Sequence, residues 1–334
     1  MGRDKQRYVC WMNRAPATPR LQAQRLVACA AVVARAEDLP ALSPPGVVIA
    51  PPAGDGDGWF VLAITSRKKP GKWTFPKGGW EVDDGPAATC AVREAFEEAG
   101  VALLPPAAAA DASPRPLQPD ELTAVAASLP LLLPAGHAAA PEQAVVGGAV
   151  AGTGCFCIGG GGGGGVPAAD AADAWGPDSF GIVEEAKTPA EPVLPLAVAT
   201  AARMLFPSAV AGGASPPLEE VDWQTATRPF LLWLRPPSSP LPDAGSPALA
   251  AAARRGWLLP AADFDEGGER QRAWVPLAWA AAPTPEAPGL KKAWKVERAA
   301  SPAATALGGD LKDLFRRIAT LAAARLVVPS AVAP

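Results

Sequence analysis

Lys72 to Val101, KWTFPKGGWEVDDGPAATCAVREAFEEAGV, reads as a short strand, a glycine loop and an acidic helix. Trp73, Thr74 and Phe75 have strand composition, and Pro76 ends that strand. Lys77-Gly78-Gly79 follows as a loop whose missing side chains allow backbone N–H groups to approach an anion closely. Asp83 and Asp84 are candidate N-caps, and Pro86 suits a first helical turn, where its lost N–H is not needed. Gly100 stands where a helix C-cap belongs.

The spacing of the carboxylates decides the chemistry. Glu94, Glu97 and Glu98 lie at i, i+3 and i+4 and therefore share one helix face. Ala91, Val92, Ala95, Phe96 and Ala99 supply the apolar side. Three like charges near a helix C-terminus repel one another and oppose the macrodipole. A hard cation bound through oxygen, Mg²⁺ or Mn²⁺, would remove that cost. A solvated acidic face is the plain alternative for an isolated run of this kind. The preceding glycines and the adjacent Arg93 favour a metal site.

Arg67, Lys68, Lys69, Lys72 and Lys77 place five cations within eleven residues just before that helix. Alone, such a run is a solvated turn; beside a carboxylate–metal site it suits a polyanionic substrate. The whole chain of 334 residues carries a formal net charge of −3, so no global basic character points to nucleic acid. Phosphate attraction must be local. The five cysteines fit no zinc spacing, and their odd number argues against a disulfide framework and for a reducing compartment. Cys155-x-Cys157 reads as an incidental loop pair. A single histidine, His137, leaves little for His-based catalysis or a His-rich metal site.

In chain order, Arg25–Arg35 reads as a buried strand, residues 37–57 as a loop and Trp59–Thr65 as a second strand. Residues 104–216 change texture, with an alanine/proline run at 105–110 and seven glycines at 159–165 that give no periodic apolar face. Short helices are expected at Asp120–Leu133 and Leu196–Phe206. Strand character returns at Arg228–Leu234 and Gly256–Leu259, then at Glu269–Ala280, which leads into a helix. Asp310–Val327 is amphipathic, with Leu311, Leu314, Ile318, Leu321 and Ala322 on one side. No apolar run is long enough to span a membrane. The N-terminus is basic without a secretory apolar core, so cytoplasmic or nuclear residence is expected, with an organellar address as the second reading.

The opening stretch resembles the Nudix box. Arg93, Glu94, Ala95, Glu97, Glu98, Gly100 and Val101 match its second half. The first half departs: anchoring on Gly78 places Asp84 at the box's first glutamate and leaves eight residues before Arg93 where the box has seven. The closest resemblance within the group is to diphosphoinositol polyphosphate phosphohydrolases, which also cleave diadenosine polyphosphates. Arg25-Leu-Val-Ala-Cys, Ile64-Thr-Ser-Arg67, Trp73-Thr-Phe-Pro-Lys-Gly-Gly-Trp-Glu81 and Arg270-x-Arg272-x-Trp274-Val275 carry it.

That resemblance implies an α/β fold, the Nudix α/β/α sandwich with a mixed β-sheet, interrupted here by a long low-complexity insertion. The implied layout is a flexible basic N-terminus over 1–23 and a first core part over 24–103 with the box at 78–101. A largely disordered insertion over 104–216, whose protein partner is unknown, then precedes a second core part over 217–328. It also implies Mg²⁺ (or Mn²⁺) on Glu94, Glu97 and Glu98, with one of these as general base. Arg25, Ser66, Arg67, Lys77, Gly78, Gly79, Arg228 and Arg270 would contact phosphates, while Asp84, Arg93 and Gly100 brace the loop and helix. The expected activity is hydrolysis of phosphoanhydride bonds in a polyphosphorylated small molecule. The rivals are an mRNA-decapping enzyme, a nucleoside-diphosphate-sugar or ADP-ribose hydrolase, and a non-catalytic phosphate-binding module.

Overall fold

From Trp59 to Thr65 the expected and observed strands coincide residue for residue. The sequence WFVLAIT is aromatic and β-branched, and every residue before Thr65 is buried, as suits a strand covered on both faces. The computed structural model of the chain describes residues 5–13, 20–52, 58–103, 122, 126–127, 129–132, 155–157, 182–185, 195–205, 221–234, 236, 257–258, 268–285 and 287–326. The alanine/proline run 105–110, His137, the seven glycines 159–165 and most of the expected insertion lie outside the described residues, as does half of the helix expected at 120–133.

Along the chain the elements are β1 (Tyr8–Asn13), β2 (Arg20–Arg35), α1 (Leu39–Leu42), β3 (Val48–Ile49), β4 (Trp59–Thr65), β5 (Lys72–Thr74) and β6 (Lys77–Gly79). There follow α2 (Ala87–Ala99), β7 (Ala102–Leu103), β8 (Cys155–Cys157), β9 (Ile182–Glu185), α3 (Leu196–Leu205), β10 (Val221–Trp233) and β11 (Trp257–Leu258). The chain continues through β12 (Arg272–Pro276), α4 (Leu277–Ala281), α5 (Pro288–Ala299), α6 (Pro302–Leu307), β13 (Asp310–Leu311) and α7 (Asp313–Leu326). The architecture is mixed α/β with parallel and antiparallel strand pairs, as the α/β/α expectation requires.

The chain divides into two compact units. One contains the described residues within 1–28, 78–90 and 133–228. There β1 runs antiparallel to the start of β2, pairing Tyr8 with Arg25 and Asn13 with Arg20, while β8 lies parallel to β1. β9 pairs antiparallel with β10 from Thr227↔Ile182 to Gln224↔Glu185. Tyr8, Val9, Cys10, Leu21 and Ala23 are buried. Gln22 Nε2 donates to Asp222 Oδ2 at 2.6 Å.

The other unit contains the described residues within 29–77, 91–132 and 229–334. β12 lies antiparallel along one edge of β4, from Arg272↔Ile64 to Pro276↔Phe60, and parallel to β3 on its far side. The other edge of β4 is shared: Trp59–Val61 pair with Val33–Arg35, and Ile64–Thr65 pair with β5. β13 then adds in parallel to β5. Val61, Leu62, Ala63, Ile64, Trp274, Phe75, Phe315 and Ile318 form its core. The rings of Phe75 and Phe315 meet edge to face at 5.4 Å and so lock α7 beside the residue that follows β5. Among the described residues no helix is long and apolar enough to cross a membrane.

Four expectations are corrected. Tyr8–Asn13 is a strand rather than part of a flexible N-terminus, because its apolar residues pair with β2 and β8. Lys77–Gly79 is a strand rather than a loop: the Ala30 N–H donates to Pro76 O at 3.0 Å and the Trp80 N–H to Leu26 O at 3.0 Å. Cys155-x-Cys157 forms β8 rather than a loop pair, and β9 also forms within the expected insertion, while α3 matches the short helix expected at Leu196–Phe206. Asp84 closes a 3-10 turn at Val82–Asp84 instead of capping α2. Two helices unread in the sequence, α5 and α6, precede β13.

Candidate active site

Helix α2 turns its small residues inward: Ala87, Ala88, Cys90, Ala91, Val92, Ala95 and Ala99 are all buried. Gly100, at φ +67°, ends it in the left-handed conformation that a side chain would disfavour, and its N–H donates to Phe96 O at 2.8 Å. Buried Arg272 donates from Nη1 to Ala99 O at 3.2 Å. A cation at this terminus favours the helix dipole that the glutamates oppose. The sequence reading had not assigned Arg272 that role.

The three glutamates are each engaged. Arg93 Nη1 donates to Glu94 Oε1 and to Glu97 Oε2, both at 2.9 Å. Glu98 Oε2 accepts the Lys77 backbone N–H at 2.8 Å, and its Oε1 accepts from Arg270 Nη2. Arg270 Nη1 also donates to Thr65 O at 2.9 Å. Glu94 is the most buried of the three, at 8 % exposure. Burial pushes its carboxyl up to about 7, opposed by Arg93 and reinforced by Glu98 and Glu97.

The turn after β4 belongs to the same unit. Arg67 pairs with Glu269 at 2.8 Å, both half exposed, and the Ser66 N–H donates to Lys72 O at 2.8 Å. Lys312 Nζ donates to Ser66 Oγ at 3.0 Å. Lys312 was not singled out from the sequence. It reaches Ser66 because β13 pairs Asp310 with Lys72, a register that local patterning does not reveal. Glu94, Glu97, Glu98, Arg93, Lys77, Ser66, Arg67 and Arg270 thus lie in one unit.

Arg25, Gly78, Gly79, Asp84 and Arg228 lie in the other. A Cβ on Gly79 would stand 2.5 Å from Gln6 Nε2 and 2.9 Å from Arg25 Nη2. Its missing side chain therefore makes room for two polar side chains. Cys90 Sγ donates to Gly79 O at 3.4 Å, securing the start of α2 to that strand. Buried Trp80 donates from Nε1 to Gly85 O at 2.9 Å. The Arg7 and Arg228 guanidinium groups stand 4.7 and 5.8 Å from its ring centroid, within cation–π range. Asp84 Oδ2 accepts the Glu81 N–H at 2.7 Å and so fixes the turn before α2.

Among the described residues no group of three or more His, Cys, Asp or Glu side chains converges at metal-ligating spacing. The donor set nevertheless fits a hard divalent cation. All three candidates are carboxylates on one helix face, and the most buried of them bears a cost for being charged. Glu94, Glu97 and Glu98 are the residues that would hold it.

The family model described as the NUDIX domain matches residues 43–130. The match spans Ser66, Arg67, Lys77, Gly78, Gly79, Asp84, Arg93, Glu94, Glu97, Glu98 and Gly100, and leaves Arg25, Arg228 and Arg270 outside. It supports a Nudix hydrolase acting on a small-molecule phosphoanhydride substrate, a class that generally uses a divalent metal such as Mg²⁺ or Mn²⁺. No curated protein matches the chain.

Proposed function

We propose that the protein is a Mg²⁺- or Mn²⁺-dependent hydrolase of phosphoanhydride bonds in diphosphoinositol polyphosphates and/or diadenosine polyphosphates. The observation that carries this reading is the hydrogen bond from the Lys77 N–H to Glu98 Oε2, 2.8 Å long. It puts the end of the basic segment Arg67–Lys77 directly against the carboxylate helix. Carboxylates for a metal and cations for several phosphates then serve one substrate.

In this reading Glu94, Glu97 and Glu98 hold the metal, which when bound supplies charge neutralisation and an acidified water. Lys77, Arg67, Arg270 and Lys312 bind phosphate oxygens and hold the scissile bond in line. Ser66 contributes a neutral donor beside Lys312. One of Glu94 and Glu98 accepts the proton of the attacking water. A cluster of cations on one short turn suits a substrate with many phosphates and little else to recognise.

The test is Mg²⁺-dependent phosphate release from a diphosphoinositol pentakisphosphate, run beside diadenosine hexaphosphate and capped RNA. Turnover of the first or second, abolished in Glu97→Gln and Glu98→Gln with folding intact, supports the reading. Normal rates in either variant sink the metal assignment. Turnover of capped RNA alone replaces the substrate class.

A further inference from the structure

In this structure Glu98 has both of its oxygens engaged. The Lys77 N–H occupies Oε2 at 2.8 Å, and Arg270 Nη2 occupies Oε1. The pair is sheltered: the Arg270 side chain is 8 % exposed and that of Glu98 is 13 % exposed, so solvent screens it little. The opposite edge of the guanidinium is tied to Thr65 O at 2.9 Å, the carbonyl directly before Ser66 and Arg67. The neighbouring Glu269 holds Arg67 at 2.8 Å. Glu98 and Glu269 therefore keep two candidate phosphate-binding arginines, Arg270 and Arg67, in ion pairs.

A dication on Glu98 and a guanidinium on the same carboxylate repel each other, and a sheltered site makes that repulsion felt. The two occupants exclude one another to the extent that they share Oε1. From this geometry we propose that Arg270 is a metal-responsive phosphate receptor, a positioning residue that lies on Glu98 in the metal-free chain. When a divalent cation takes that carboxylate, the Nη2 edge turns to the substrate's phosphates while Nη1 keeps its bond to Thr65 O. Metal and anion binding are then coupled through one side chain, and the coupling is reciprocal. The inference rests on the metal role given to Glu98 under the proposed function.

The experiment uses the full chain labelled with ¹⁵N-arginine, with the Arg270 signal assigned by its loss in Arg270→Lys. In wild type without metal, the guanidinium gives two separate, slowly exchanging Nη signals. Saturating Mg²⁺ collapses them, and inorganic phosphate added with Mg²⁺ restores a split pair at new positions. Calorimetry on the same chains gives Mg²⁺ affinity five- to tenfold tighter in Arg270→Gln, intermediate in Arg270→Lys and within twofold of wild type in Arg67→Gln. That last variant controls for general loss of positive charge. Nη signals unmoved at saturating Mg²⁺, or weaker Mg²⁺ binding in Arg270→Gln, overturn the coupling while leaving the metal site standing. Absence of Mg²⁺ binding in wild type, unchanged by Glu98→Gln, overturns the metal assignment and this inference with it.

Discussion

Lys312 Nζ donates to Ser66 Oγ at 3.0 Å although 246 positions separate the two residues. The contact is a product of sheet register. β13 pairs Asp310 with Lys72 and Leu311 with Trp73, and the Lys312 N–H donates to Trp73 O at 3.2 Å. The ammonium group is thereby held over the turn that carries Ser66 and Arg67. A charge-assisted hydrogen bond to phosphate contributes about 1.5–3 kcal/mol. Lys312→Gln should therefore raise KM for a polyphosphate substrate roughly tenfold or more, with kcat changed far less. Steady-state kinetics decides it, and an unchanged KM removes Lys312 from the site.

Glu94 sets a pH dependence that can be separated from every other group by using Glu94→Gln as the reference. Its carboxyl is raised from 4.5 to about 7, first by burial. A raised folded-state pKa means that the group's contribution to stability is complete below about 4.5 and is lost as pH rises through 7. At about 1.4 kcal/mol per pH unit the loss has an upper bound of roughly 3 kcal/mol. Metal-free wild type should lose stability relative to Glu94→Gln between pH 5 and 7.5. Mg²⁺ at pH 7.5 should then raise the wild-type Tm and leave that of Glu94→Gln nearly still. Parallel pH profiles for the two chains, measured by thermal melts, contradict the assignment.

The parts legible in the sequence were those whose reason is local. The helix Ala87–Ala99 announced itself through glutamates at i, i+3 and i+4 and through a glycine in the left-handed cap. β4 did so through an uninterrupted apolar run. What stayed hidden depends on partners far along the chain. Tyr8–Asn13 has apolar strand character but too few residues to declare itself, and it forms against Arg20–Arg25 and Cys155–Cys157. Lys77–Gly79 looked like a loop because glycine and lysine are poor strand formers, yet its neighbours Pro76 and Trp80 bond to β2. The pairing of Arg270 with Glu98 spans 172 positions; the motif reading supplied each residue without supplying their meeting.

Gly79 tests how tightly β6 is packed. In Gly79→Ala the new methyl group would lie 2.5 Å from Gln6 Nε2 and 2.9 Å from Arg25 Nη2. Both are far ends of flexible side chains, so the cost should be modest, about 1–2 kcal/mol. The discriminating measurement is a double-mutant cycle in urea. Adding Gln6→Ala should return about half or more of the loss, whereas strict additivity would place the strain elsewhere.

Asp310 joins α5 to α7. Its Oδ1 accepts from Arg298 Nε at 2.8 Å, and its Oδ2 accepts from Arg316 Nη2. The two arginines are 5 % and 7 % exposed. Arg298 also donates to Trp279 O at 2.6 Å, and Arg316 to Leu311 O at 2.8 Å. These carbonyls, and the Thr284 hydroxyl that accepts from Arg316 Nη1 at 3.2 Å, bind a guanidinium without neutralising it. Asp313 meets Arg316 at 2.8 Å but is 82 % exposed, so its share is small. Removing one member of a buried ionic cluster leaves charge uncompensated, at a typical cost of 3–5 kcal/mol. Asp310→Asn keeps the shape and removes the charge, so its urea midpoint should fall by the equivalent of about 3 kcal/mol. The loss should arise chiefly as faster unfolding of the segment from Pro288 to Leu326, read as early amide exchange in α5 and α7. An unchanged midpoint with α5 and α7 fully protected would show that the neutral partners suffice to hold both arginines.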